Sequence, residues 1–238
     1  MIISFFNRQF NRFNIDNRKT RVYIPSLFMG YLVLKIALSL FLTKIFPQED
    51  ELVLVKENNK ELNLISLTLF LVFGAIMEEF KYRGLLTKFN YKWVLISLSV
   101  FITTIIFVIF NIKVYYLYPE SLLPMIGYFI FFIITGIIIY FTLFKLLFKH
   151  KEKIKNKFDS NFNLILLTQV GLFAIWHILF SGQGNEAHYI NLFIFHSVGA
   201  LFYSFIRINY GILYSIIVHF FYNFLVTVVP VILVRLVS

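Results

Sequence analysis

Residues 62–83 read LNLISLTLFLVFGAIMEEFKYR, and this stretch decides the fold class. It is almost wholly apolar as far as residue 77, and a helix of about 20 such residues crosses the roughly 30 Å hydrocarbon core of a bilayer. The span is predicted to cover 62–88, with its last part continuing beyond the membrane. Similar stretches recur at about 24–46, 93–117, 124–148, 162–180, 188–206 and 210–234. The sequence therefore predicts an all-α, polytopic transmembrane helix bundle of about seven spans.

The composition agrees with a protein that lies mostly in lipid. Of 238 residues, 59% are hydrophobic and 14% are charged, whereas a soluble domain is closer to half apolar. No stretch remains for a sizeable soluble domain, so we expect one transmembrane domain over 24–238, after a basic cytoplasmic arm over 1–23. Cysteine is absent, which excludes disulfides, thiolate metal sites and cysteine nucleophiles.

The net charge of +10 is distributed unevenly between successive loops. The basic segments are the N-terminal arm, 81–92, 149–161 and the 206–209 turn with Arg207, and they alternate with the non-basic segments 47–61, 118–123 and 181–187. This alternation predicts a cytoplasmic N-terminus and an outer C-terminus. It indicates a lipid bilayer as the partner and argues against nucleic acid. The lysine-rich 149–157 segment is predicted to be a solvated linker, with contact to anionic lipid head groups as the alternative.

Two adjacent carboxylates, Glu78 and Glu79, end the apolar run. Neighbouring residues of an α-helix point about 100° apart, so these side chains are expected to face different directions. Glu79 and Arg83 lie four residues apart, in the order that favours an ion pair. That pair would leave Glu78 as the unpaired carboxylate. The alternative is a helix that emerges into water, with the charges marking its end.

Two further spans carry polar side chains among apolar ones: residues 173–177 read FAIWH, and residues 219–223 read HFFYN. In each, the first and last side chains share a helix face. The plain interpretation is that His177 is a satisfied interior residue and that His219 and Asn223 form a hydrogen-bonded pair between helices. Together with Glu78, however, these clusters supply a base for water, a partner for that base, and donors for an oxyanion.

The order of EEFKYR, FAIWH and HFFYN resembles the CAAX protease and bacteriocin-processing (CPBP, or Abi) family of intramembrane proteases, which includes the type II CAAX prenyl endopeptidases. The pattern of that family is EExxxR, FxxxH, and then HxxxN or HxxxD, on separate helices. The resemblance covers about 62–92 and 162–230. This chain departs from the family in one respect, because about 90 residues separate the first two motifs. The intervening segment, about 93–161, contains two extra predicted spans.

The resemblance implies a glutamate-dependent peptidase and a role for each matched residue. Glu78 is the expected general base that activates water, with His177 helping to hold or polarise it. His219 and Asn223 are expected to stabilise the oxyanion on the scissile carbonyl. Two residues are expected to hold the motif helix in place, Glu79 and Arg83. Two aromatic side chains are expected to line the substrate cleft, Phe173 and Trp176.

No cofactor is expected for this chemistry. A divalent metal is the alternative, because Glu78, His177 and His219 are the residue types of a two-histidine, one-carboxylate site. Other intramembrane proteases fit poorly, since the sequence contains no HExxH, GxGD or GxSxG motif.

Two other classes of function fit the same residues. One is a non-catalytic membrane scaffold, sensor partner or bacteriocin-immunity protein that keeps the polar cluster as a ligand pocket. The other is a transporter that moves an ion past Glu79 and Arg83, although the sequence has no paired halves. The expected substrate is a peptide or a membrane-protein segment. The compact chain and its Ile, Phe, Asn and Lys bias indicate a bacterial cytoplasmic membrane.

Overall fold

The computed structural model describes residues 23–45, 64–110, 122–180 and 185–237, and within these ranges the regular structure is helical throughout. The helices in chain order are α1 (Ile24–Ile45), α2 (Leu64–Glu78), a π-helix (Glu79–Arg83), α3 (Tyr91–Ile109), α4 (Leu122–Leu147), a 3₁₀-helix (Phe148–His150), α5 (Lys151–Ser160), α6 (Phe162–Phe180), α7 (Glu186–Tyr210) and α8 (Ile212–Val237). The all-α prediction is confirmed.

In the described part of the chain, six helices are long and apolar enough to cross a membrane. They are α1, α3, α4 with its continuation, α6, α7 and α8. The second predicted span corresponds to α2 and the π-helix that follows it directly. The protein is therefore a polytopic integral membrane protein with about seven spans, as predicted. Helices suit this environment because they satisfy their backbone hydrogen bonds internally.

Local side-chain signals set several helix ends. The side chain of Asn90 accepts hydrogen bonds from the backbone N–H groups of Lys92 and Trp93 at the start of α3. Asn185 caps α7 in the same way. Gly211 ends α7 with φ of 98°, a left-handed conformation that glycine adopts without a steric cost.

Two of the predicted loops are wrong. The predicted turn at 206–209 is helical, because no glycine or proline lies between residues 200 and 210 and α7 therefore continues as far as Gly211. Arg207 is consequently a buried side chain of a helix and not a loop cation. The predicted linker at 149–161 is mostly the 3₁₀-helix and α5. Lysine and glutamate are good helix formers, and buried Phe158 anchors this segment to the protein.

The described residues form two compact units. The first contains 23–45, 86–88, 163–180 and 185–218, and the second contains 64–85, 89–110, 122–162 and 219–237. The predicted domain boundary between 1–23 and 24–238 stays a prediction. Apart from Tyr23, the basic N-terminal arm lies outside the described residues, as do the 47–61 loop, most of the 118–123 turn and residues 181–184.

Aromatic packing holds the second unit together. The rings of Phe73 in α2 and Phe129 in α4 stack with their centroids 3.6 Å apart. Phe107 of α3 meets Phe132 of α4 at 5.0 Å. The hydroxyl of Thr103 donates to the carbonyl four residues earlier in α3, so this polar side chain is satisfied inside its own helix. These contacts place α3 and α4, which form the intervening segment of the sequence, directly against the first motif helix.

In the first unit, α1 packs on α7. The Tyr31 and Phe202 rings stack at 4.0 Å, and the Tyr31 hydroxyl donates to that of Tyr203. The Nζ of Lys35 donates to the carbonyl of Phe195 at 2.5 Å. Gly199 lets α1 approach, because a Cβ there would lie 3.1 Å from the Tyr31 hydroxyl.

Candidate active site

The first motif lies where α2 changes into a π-helix. Such wide turns are rare and frequently mark functional sites. The Arg83 guanidinium donates to Glu79 Oε1 at 2.5 Å, and the predicted ion pair is thus confirmed. Both side chains are buried, with 0% of Glu79 and 1% of Arg83 exposed. The alternative in which these two charges mark a helix end in water is wrong.

His219, from α8, lies against both carboxylates of the motif. Its Nδ1 is 2.9 Å from Glu79 Oε1, and its Nε2 is 3.5 Å from Glu78 Oε2. The two carboxylates thus approach different nitrogens of one imidazole ring. That the two glutamates face different directions stays a prediction.

The hydrogen-bonding roles in this cluster follow from chemistry. An ionised carboxylate only accepts hydrogen bonds, so His219 Nδ1 carries a proton and donates it to Glu79. Glu79 Oε1 therefore receives both the arginine and the histidine. Glu78 Oε2 is buried and has no hydrogen-bond partner among the described residues. With 15% of its side chain exposed, Glu78 is the carboxylate that still has an oxygen to offer a water molecule.

Asn223 lies one turn after His219 in the same helix, and its side chain is partly exposed. No hydrogen bond in the described structure joins it to the two carboxylates. Its predicted role as an oxyanion donor stays a prediction. The second unit thus brings together Glu78, Glu79, Arg83 and His219, with Asn223 one turn away.

The first unit contains the second motif. His177 Nδ1 is 2.8 Å from the carbonyl oxygen of Phe173. Since a carbonyl only accepts, Nδ1 is the protonated nitrogen, and Nε2 of a neutral ring keeps its lone pair. The His177 and His196 rings stack at 4.0 Å with 19° between their planes. Phe173 is buried and Trp176 is partly exposed. That the two motif groups share one cavity stays a prediction.

Three buried or half-buried ionisable side chains were not predicted from the sequence as parts of a site. His196 stacks on His177, Lys35 binds the carbonyl of Phe195, and Lys81 is buried with its Nζ 4.4 Å from the Tyr82 ring centroid. The signal was available for His196 and Lys35, because an ionisable residue inside an apolar span is expensive and needs a partner. Neither residue belongs to one of the three motifs, and neither was predicted to be part of a site.

An apolar cavity of about 490 Å³ lies in the second unit between α2, α3 and α4. Its lining includes Met77, which directly precedes Glu78, together with Phe132 and Tyr140. The volume falls in the range of ligand pockets. The predicted cleft residues, Phe173 and Trp176, belong to the first unit, so this cavity is an additional apolar surface that the sequence did not reveal.

Among the described residues, no group of three or more histidine and carboxylate side chains is arranged to hold a metal ion. The divalent metal stays an alternative that rests on residue types alone. No protein-family model matches this chain, and neither a curated protein nor a solved structure matches it at a significant level. The family resemblance therefore rests on the three motifs and their order.

Gly84 ends the π-helix, and its lack of a side chain is predicted to be essential to this geometry. A Cβ there would lie 2.5 Å from the Phe80 carbonyl oxygen and 3.0 Å from Ser97 Cβ. We expect Gly84→Ala to lower the free energy of unfolding by about 1–3 kcal/mol, the usual cost of overpacking. Gly74→Ala is the control, since nothing lies within 4 Å of its Cβ position. Unfolding in SDS–detergent mixtures measures both, and equal stability of the two variants would contradict the prediction.

Proposed function

We propose that this chain is a glutamate-dependent intramembrane endopeptidase, as the three motifs imply. The observation that carries the proposal is the contact of His219 with both Glu78 and Glu79. The first and third motifs, which are about 140 residues apart in sequence, supply one buried polar cluster. Such a cluster in a membrane protein is costly, and it usually marks a functional site.

The geometry supports a defined role for Glu78. Its carboxylate accepts the proton of a water molecule, and the resulting hydroxide attacks the scissile carbonyl carbon. The new C–O bond converts the carbonyl oxygen into an oxyanion. When the intermediate collapses, the C–N bond breaks, and Glu78 returns the proton to the leaving amine. Glu78 is thus regenerated, and one water is consumed for each bond cleaved.

His219 fits a change of partner during this cycle. The role proposed for Nε2 is that of an N–H donor in a doubly protonated ring, and this nitrogen lies 3.5 Å from Glu78 Oε2, which is at the limit of a hydrogen bond. Once Glu78 has taken a proton it is neutral, and it attracts that N–H less strongly. The N–H then becomes available to the oxyanion, with the Asn223 amide as the second donor. Glu79 and Arg83 hold His219 in place through Nδ1, and the motif resemblance implies that His177 helps to polarise the water.

The expected substrate is a peptide or a membrane-protein segment with an apolar side chain near the scissile bond. The apolar cavity supports this class of substrate, since Met77, one of its lining residues, directly precedes the proposed base Glu78. We further propose a bacterial cytoplasmic membrane, from the compact chain and its Ile, Phe, Asn and Lys bias. The charge of the loops supports an N-terminus in the cytoplasm and a C-terminus outside.

Mapping of new peptide termini tests the proposal. Membranes from bacteria that express the chain are compared with membranes that contain a His219→Gln variant, which loses the bridge between the carboxylates. We expect new termini, flanked by apolar residues, only with the wild-type chain. Helical content and SDS resistance establish that the variant is folded. If the two sets of termini are identical, the protein is not a peptidase, and the non-catalytic scaffold takes its place.

A further inference from the structure

The helix α5 and the end of α4 carry a dense group of lysines. Six lysines lie between residues 145 and 157, and every one of them is exposed. They are Lys145, Lys149, Lys151, Lys153, Lys155 and Lys157. Two acidic residues, Glu152 and Asp159, share the segment. Within the described structure none of the six lysines forms an ion pair, so their charge is not neutralised by the protein.

Aromatic contacts hold α5 at the ends of membrane-spanning helices. At its start, the ring of Phe148 is 6.4 Å from Tyr91, the first residue of α3. Near its end, the ring of Phe158 is 5.5 Å from Phe89 and 5.9 Å from Phe162, the first residue of α6. The first residues of spanning helices lie at a membrane surface. The lysines of α5 are therefore held at the level of that surface and do not extend away from it.

The faces of α5 differ in character. Ile154 and Phe158 lie four residues apart and form one apolar stripe. Phe158 is buried, so the stripe faces the protein. The lysines of α5 flank the stripe on both sides at 100° per residue: Lys151 and Lys155 on one, Lys153 and Lys157 on the other. Glu152 lies on the far side, whereas Asp159 and Lys153 both lie roughly 120° from the centre of the stripe. Three of the four lysines of α5 are thus beside the surface that meets the protein.

Exposed apolar side chains alternate with lysines just before α5. The exposed apolar side chains are Phe144 (39%), Leu146 (64%) and Phe148 (56%). Lys145 lies between the first two in sequence, and Lys149 directly follows the third. Lysine stems lie along apolar surface while their ammonium groups reach for polar partners. This alternation matches the boundary of a lipid layer, where acyl chains meet head groups.

We propose that α5, with Lys145 and Lys149, binds the anionic head groups of membrane lipids. Clusters of four to eight basic residues next to a membrane span are attracted to anionic lipid surfaces. A lipid is favoured over a soluble acidic protein because the lysines begin within the spanning helix and continue along the surface of the membrane. This site is separate from the proposed peptidase, and its binding does not depend on catalysis.

Tryptophan fluorescence tests the proposal on the full chain. The sequence has two tryptophans, Trp93 and Trp176, and Trp93 stacks on Phe80 of the π-helix. Replacing both by phenylalanine and replacing Phe148, which is 56% exposed beside Lys149, by tryptophan leaves a single reporter at the lysines. The protein is reconstituted in vesicles that mix brominated phosphatidylglycerol with ordinary phosphatidylcholine, and in vesicles with the bromine on the other lipid. Bromine on a lipid quenches the fluorescence of a tryptophan that the lipid contacts, so quenching reports which lipid lies beside the tryptophan.

We expect the relative affinity for phosphatidylglycerol to exceed that for phosphatidylcholine by roughly fivefold or more, the effect of about one lysine at a charged surface. About 0.5 M salt should bring the ratio of the two affinities towards one, because salt screens the attraction between the exposed lysines and the anionic lipid. Replacing the lysines at 149, 151, 153 and 155 by glutamine should also remove the preference. Replacing the same four by arginine keeps the charge and should preserve it.

Two outcomes would overturn the proposal. Equal quenching by both lipids in the single-tryptophan chain means that no anionic site exists, and a soluble acidic partner would then be the better occupant. A glutamine variant that keeps the full preference places the anionic site elsewhere. If that variant fails to fold, the salt titration of the single-tryptophan chain and the arginine variant still decide the question, since a salt-insensitive ratio contradicts binding through lysines.

Discussion

Replacing Glu78 by glutamine is expected to slow peptide hydrolysis by about 10²–10⁴-fold, the usual contribution of a general base. Glutamine has almost the same shape, but its amide cannot accept the proton of water. The side chain is partly exposed, and its Oε2 has no hydrogen-bond partner within the described ranges. Folding should therefore be nearly unchanged, and the loss should appear in kcat.

The measurement is the rate of cleavage of a peptide chosen from the new termini, with the variant and the wild type reconstituted at equal amounts. Glu152→Gln provides the matched control, because it makes the same chemical change at an exposed position of α5. Cleavage at the wild-type rate by the Glu78→Gln variant would show that another group activates water, and the proposed mechanism would be wrong.

The number and the type of helices followed from the sequence because a bilayer imposes a length on each apolar run. The predicted span 162–180 coincides with α6, and 24–46 differs from α1 by one residue. The loops were harder to predict. Whether 149–161 is a helix depends on Phe158 and its aromatic partners, which are distant in sequence, and hydropathy carries no information about them.

The candidate site was predictable in its residues but not in its geometry. Spacing alone indicated the Glu79–Arg83 pair, because residues four apart meet on a helix. The π-helix could not be predicted, since it depends on tertiary contacts such as the hydrogen bond from the Ser97 hydroxyl to the Lys81 carbonyl. The approach of both glutamates to His219 could not be anticipated either, because it depends on the packing of α8 beside this segment.

Replacing Glu79 by glutamine is expected to destabilise the fold, in contrast to the same change at the preceding residue. The guanidinium of Arg83 is buried and forms an ion pair with Glu79. Removing one partner of a buried pair leaves an uncompensated charge, which costs about 3–5 kcal/mol. His219 loses the same carboxylate. The same substitution is therefore expected to have opposite effects at the two adjacent glutamates: Glu78→Gln loses activity, and Glu79→Gln loses stability.

Unfolding in SDS–detergent mixtures measures the effect, and a double variant identifies its cause. Replacing both partners of a buried pair by groups of similar volume is often nearly neutral, so Glu79→Gln combined with Arg83→Met should regain much of the stability that Glu79→Gln loses alone. If the two losses simply add, the residues are not coupled. The importance of Glu79 would then lie in its hydrogen bond to His219, and Arg83 would have no part in supporting the site.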